Sequence, residues 1–190
     1  MKEILPGIHH WTTFHEGIGQ PVHSHFFVEG AALFDPRVPD EGLDEVARHG
    51  RPDAILLSNR HHLRHGEAFA SAFGDGPEVQ AFEYGDEVAP GVRALEVGAL
   101  TPEDTAFHIA AGDGVLLFAD ALIRTRDGEL AYVPDWLMGD DPVGVRRGLT
   151  AALERLLDEE FDALLFAHGA PVATGGKERL RAFVAGRRGA

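Results

Sequence analysis

The sequence contains no cysteine. Disulfides, iron–sulfur clusters, thiolate zinc sites and cysteine nucleophiles are thereby excluded. Zero cysteine also fits a cytoplasmic protein, the compartment expected here. Long hydrophobic runs are missing too. No stretch approaches the ~20 apolar residues of a membrane helix, and Met1 to Gly7 has no signal-peptide core. No membrane partner is therefore expected. Positive charge is scarce, with 17 Lys and Arg against 31 Asp and Glu, a net charge of −14. Such a surface repels phosphate backbones. The Arg187-Arg188 pair is too small a patch to reverse this, so no nucleic-acid partner is expected.

What remains is an ordinary globular composition, 44% hydrophobic and 25% charged over 190 residues. One domain spanning 1–190 is expected. Glycine and proline punctuate short elements. Strands are expected over 22–28 and 31–34, joined at Glu29-Gly30, and then over 54–57, 79–82, 92–97, 105–110, 115–118 and 163–166. Helices are expected over 43–49, 63–73 (stopped by Gly74), 142–159 and 177–184. Val145, Leu149, Ala152, Leu153, Leu156 and Leu157 share one face of the longest helix. Strands come first and then alternate with helices, which reads as an α/β or α+β arrangement with helices covering sheet faces.

Eleven histidines are present, and most cluster: His9, His10, His15, His23 and His25, then His61, His62 and His65. Histidine is the commonest metal ligand. Three apolar strands each run into polar groups at their carboxyl ends, where open α/β sheets place ligands. Ile55-Leu56-Leu57 leads into Ser58-Asn59-Arg60-His61-His62-Leu63-Arg64-His65. Val115-Leu116-Leu117-Phe118 leads into Ala119-Asp120. Leu164-Leu165-Phe166 leads into Ala167-His168-Gly169-Ala170-Pro171. A helix beginning near His61 would put His61 and His65 on one face, able to share a metal.

The order of these segments, with Leu33 to Pro36 before them and Thr101-Pro102-Glu103-Asp104-Thr105 between, resembles the metallo-β-lactamase-fold superfamily over about residues 20 to 175. The resemblance is closest to members with a Ser/Thr-Asn-Arg-His-His stretch. It implies a four-layer αββα sandwich with a metal site along one edge of the paired sheets. Against the family motif Thr-His-x-His-x-Asp-His, Ser58 takes the Thr position and Asn59 replaces the first His. His61 matches the second His, Leu63 replaces the Asp, and Arg64 replaces the last His. Asp104 stands where a further ligand belongs, Asp120 matches the bridging Asp, and His168 matches the His of Gly-His-Gly-x-Pro.

The resemblance thus implies a rebuilt, mononuclear site drawn from His61, His65, Asp104, Asp120 and His168, with Asp104 and Asp120 as the catalytic carboxylates. His62, His65 and His108 are the candidate replacements for lost ligands. A mixed His/carboxylate set suits Zn first, with Fe or Mn as alternatives. Arg60 and Arg64, with His62 and His108, are the candidate substrate contacts, suiting a small anionic or ester substrate. The implied activity is that of a metal-dependent hydrolase-like enzyme. The competing reading is a metal-free relative, catalytically silent, that binds a ligand or serves as a structural domain. Gly17-x5-His23-x-His25-x3-Glu29 resembles the first motif of cupins, but no second motif follows and the long helix argues against a barrel. His23 and His25 point to one strand face. Residues 130–141, with Tyr132, Trp136 and Met138, read as a lid or a homodimer contact.

Overall fold

Alternation along the short strands sets the architecture. In a strand, successive side chains face opposite sides, and here both sides are buried. Phe34, Leu56, Leu117 and Leu165 enter one apolar cluster, while Leu33, Ile55, Leu116 and Leu164 enter two others. A sheet apolar on both faces needs a partner on each, and the four-layer arrangement supplies it. The computed structural model describes residues 1–73, 78, 79 and 81–187. Gly74 and Arg188, read above as a helix stop and as half of a basic pair, lie outside the described residues, as does position 80.

The first sheet comprises β1 (Lys2–Leu5), β2 (Ile8–His15), β3 (Gln20–Phe27), β4 (Ala32–Phe34), β5 (Ala54–Leu56) and β6 (Glu78–Val79), in that spatial order. Pairing is antiparallel through β4 and parallel from β4 to β6. The second sheet contains β7 (Glu87–Ala89), β8 (Val92–Glu96), β9 (Thr105–Ile109), β10 (Val115–Phe118) and, after a small hairpin of β11 (Ile123–Arg124) and β12 (Leu130–Ala131), β13 (Ala163–Phe166). Its order is β13-β10-β9-β8-β7, with β10 and β13 parallel.

Between the sheets lie Ile8, Phe27, Phe34, Leu56, Val92, Phe107, Ile109 and Leu165, fully or almost fully buried. The outer face of the second sheet packs on α3 (Pro142–Leu156) and α4 (Gly176–Ala185) through Leu149, Leu153, Leu180 and Phe183. The outer face of the first meets Val46 of α1 (Leu43–Ala47) and Phe69 of α2 (Gly66–Ala72). This is the expected αββα sandwich, and two sheets rather than a barrel exclude the cupin alternative. No helix among the described residues is long and apolar enough to cross a membrane.

Several local expectations need correction. Polar residues hide β1 and β2 from pattern reading, since in Ile-His-His-Trp-Thr-Thr-Phe-His the buried positions include histidine. The helix expected from Leu63 begins instead at Gly66, after a separate 3-10 turn over Arg60–His62. Arg64 between them adopts φ +46°, a left-handed conformation that a helix cannot contain. His61 and His65 therefore do not share a helix face. The last turn expected for α3 unwinds, and the strand expected over 79–82 has its pairing at Glu78–Val79.

Candidate metal centre

Four strand ends, in two parallel pairs, converge on one edge of the sandwich. β10 and β13 pair in register, Phe118 opposite Phe166. Two residues beyond each lie Asp120 and His168, so equal spacing past a matched pair brings them together. His168 Nε2 is 3.2 Å from Asp120 Oδ1. β4 and β5 likewise match Phe34 with Leu56, and beyond them lie Asp35 and Ser58. The Asp35 carboxylate accepts the Ser58 amide at 2.9 Å and the Ser58 hydroxyl at 2.5 Å. Two backbone bonds tie the sheets at this edge: Thr105 N–H to the Ser58 carbonyl and His23 N–H to the Ala167 carbonyl, each 2.9 Å.

The 3-10 turn delivers His62 between the two pairs. Its Nδ1 lies 3.0 Å from Asp35 Oδ2, and its Nε2 lies 3.5 Å from Asp120 Oδ2. Asn59 starts the turn by accepting the His61 amide at 2.9 Å, and its side-chain amide donates to Asp120 Oδ2 at 3.0 Å. Among the described residues, His62, Asp120 and His168 are the one set of three or more metal-capable side chains with donor atoms all within 4.8 Å. His62 is 6% exposed.

Charge in this pocket is paired. Burial alone would push the His62 imidazole down, but the Asp35 charge and the bonds to Asp120 and Asp35 raise it to about 9. Burial opposes ionisation of Asp120, yet the bonds and charges of His168 and His62 hold it well below the usual carboxylate range. Asp35 is also lowered, against its burial, by His62, Arg64 and Ser58. Arg64 donates from one terminal nitrogen to the carbonyls of His23 at 3.0 Å and Asp35 at 2.9 Å. Asp104 accepts the Thr101 amide at 3.1 Å, while its Oδ1 is buried without a partner. Burial, helped by the Asp120 charge, pushes this carboxyl up to about 6.

The structure thus brings together Asp120 and His168 of the expected donors, but places His62 where His61 was expected. His61 is exposed. His65 faces away, its Nδ1 accepting the Val38 amide at 3.0 Å. Asp104 lies beside the group without joining the trio. Arg60 is at the rim, paired with Glu103 at 3.1 Å. His108 is removed from the site, because alternation along β9 turns it outward to bond the Glu160 carbonyl at 2.8 Å. Asp35 and Asn59 are site residues that sequence reasoning missed. The strand-end rule that marks Asp120 could have found Asp35.

The donor set fits a metal of the kind the resemblance implies. Zn–N and Zn–O bonds of about 2.0–2.1 Å in tetrahedral array place neighbouring donors roughly 3.3 Å apart; His168 lies 3.2 Å from one Asp120 oxygen and His62 3.5 Å from the other, and one donor atom from each of the three residues falls within 4.8 Å of the other two. Asp35 on His62 Nδ1 leaves Nε2 to ligate, the carboxylate–histidine arrangement found behind metal ligands.

No family model and no curated protein sequence matches the chain. Solved structures do. A metallo-β-lactamase family protein from Thermus thermophilus is 19% identical, over 98% of this chain and 81% of that one, with TM-score 0.61. An archaeal metallo-β-lactamase superfamily protein from Sulfolobus tokodaii is 12% identical, over 95% and 85%, with TM-score 0.63. A flavo di-iron protein mutant from Thermotoga maritima is 13% identical, over 94% and 57%, with TM-score 0.60. At these identities the likeness is one of fold, and its extent over nearly the whole chain makes this protein a divergent bearer of the metallo-β-lactamase fold.

Proposed function

We propose that this chain is a cytoplasmic metal-dependent hydrolase-like enzyme with one divalent ion, Zn before Fe or Mn, held by His62, Asp120 and His168. The observation that carries the reading is the convergence of those three donors within 4.8 Å. A divalent metal in such a site supplies Lewis-acid polarisation of a carbonyl or phosphoryl oxygen. The chain's own residues do the rest. Asp35 orients His62, and Asn59 orients Asp120. Arg64 stands where a second ion's ligand is expected, which favours a single ion. Arg64 inside the pocket and Arg60 at its rim favour a small anionic or ester substrate. Asp104, with its carboxyl near neutrality, suits proton transfer. The exposed Trp136, Leu137 and Val143 suit a homodimer contact, which size in solution tests.

The test is metal content of untagged protein, beside an Asp120→Asn, His168→Ala variant. About one equivalent in the first and a loss of at least tenfold in affinity in the second are expected. A second reading has its own support: Asp35 and Asp120 are balanced by His62 as imidazolium and by Arg64, so the pocket is electrically complete without an ion. Wild-type protein that takes up no metal even when it is added back overturns the first reading. It would leave a ligand-binding or structural domain.

A further inference from the structure

Where α4 meets the β11–β12 hairpin, the two leave a cavity of about 400 Å³ between them. One wall is a stripe of α4, Arg179, Ala182 and Phe183, continued by Arg187 just past the helix end. Residues three and four apart share a helix face, which is what sets these side chains in one row. The other wall is Gly128, Glu129 and Leu130. None of these residues belongs to the metal centre. The Arg187 guanidinium is held in place within this row. It lies 3.5 Å from the Phe183 ring centroid and 5.6 Å from that of Tyr132, and its Nη1 donates to the Phe183 carbonyl at 3.1 Å.

Carboxylate partners are plentiful in a chain with 31 acidic residues against 17 basic ones. Arg37, Arg48, Arg60, Arg93, Arg146 and Arg181 each pair with one. Arg179 and Arg187 pair with none among the described residues, yet both line this cavity. Stacking on two rings and one carbonyl bond orient Arg187 without neutralising it. A guanidinium already ordered gives up little further freedom on binding, so its remaining donors are preorganised for a ligand. The planar fork of those donors matches a carboxylate. Two arginines and the Glu129 carboxylate leave the cavity one net positive charge, which suits a monoanion. Leu130, Ala182 and Phe183 add apolar contact. The volume is in the range of small-molecule sites, so a bare inorganic ion would leave most of it unfilled.

We propose that this cavity is a binding site for a small organic carboxylate, its charged group on Arg187 and its apolar body against Leu130 and Ala182. Arg179 adds attraction from the exposed end of the row. Nothing in this assignment depends on the Asp120 centre.

The experiment titrates benzoate into the full chain with chelator present, so that no metal competes for the carboxylate. The amide signals of Gly128 and Ala182 are followed by NMR. Saturable binding with a Kd on the order of 1 mM is expected. Benzamide, uncharged and of similar shape, should bind at least about tenfold more weakly. Arg187→Gln should weaken benzoate binding about tenfold and Arg179→Gln about two- to fivefold. Arg179 is exposed, so its replacement leaves the fold intact. If Arg187→Gln does not fold, Arg187→Lys keeps the charge, loses the planar fork, and should still weaken binding severalfold. Benzoate that does not saturate, benzamide that binds equally well, or arginine variants that bind benzoate unchanged each overturn the assignment. Because metal is absent throughout, failure of the Asp120 centre to take up an ion leaves this titration unaltered.

Discussion

His62 is the residue on which the pocket turns. It touches Asp35 through one ring nitrogen and approaches Asp120 with the other. In metal-stripped protein it is held protonated, its pKa raised from 6.5 to about 9. A group raised in the folded state contributes stability that is complete below its unfolded pKa. That contribution is lost as pH rises through the folded value. Chelated protein should therefore lose stability between pH 6.5 and pH 9, by about 3 kcal/mol in denaturant titrations. Metal-loaded protein should not show the loss, because an ion on Nε2 requires the ring already neutral. A flat profile in chelator would mean the imidazolium bridge is absent. The sequence places a histidine at this site but puts it one residue away, at His61. The motif's spacing presumes its usual loop, and here Asn59 caps a 3-10 turn that rotates His61 outward and His62 inward.

Elements decide how firmly the donors are held. His168 sits at the mouth of β13, and the next residue, Gly169, has φ +119°. A methyl group there would run into the Arg124 carbonyl oxygen. The Arg124 amide also donates to the His168 carbonyl at 2.9 Å, and its guanidinium reaches the carbonyls of Ala170 and Pro171. Gly169→Ala should therefore cost roughly 1–3 kcal/mol in backbone strain alone. The expected result is a Tm lower by about 5 °C and weaker metal retention. Unchanged melting would show the turn to be soft. At this scale the sequence is readable where strands are apolar and short. β10 and β13 are legible to the residue, since nothing in Val-Leu-Leu-Phe or Ala-Leu-Leu-Phe competes with a doubly buried strand. β2 is not, because pattern reading counts histidine as polar while this fold buries three across β2 and β3.

At the scale of the whole molecule, stability comes from three apolar clusters that do not include the metal-capable trio. Removing metal should therefore leave the secondary structure intact. Far-UV circular dichroism in chelator should match that of loaded protein, with Tm reduced only by the linkage of ligand binding. Collapse of the spectrum would show that the ion is part of the folding nucleus, as in small zinc domains. The order of segments along the chain makes this architecture legible from sequence. The partition of the Asp35, Ser58 and His62 contacts is not, because it depends on a left-handed Arg64 that no local pattern announces.

The two sheets meet at the site through a pair of backbone bonds, from the amides of Thr105 and His23. Amides buried in a strand ladder exchange with solvent only when the ladder opens, whereas these two exchange when one sheet parts from the other. They are natural clocks for separation of the layers, readable by hydrogen–deuterium exchange without any knowledge of ligand or reaction. A molecule that slows both amides, and leaves those of β8 and β9 unchanged, would be acting across this seam.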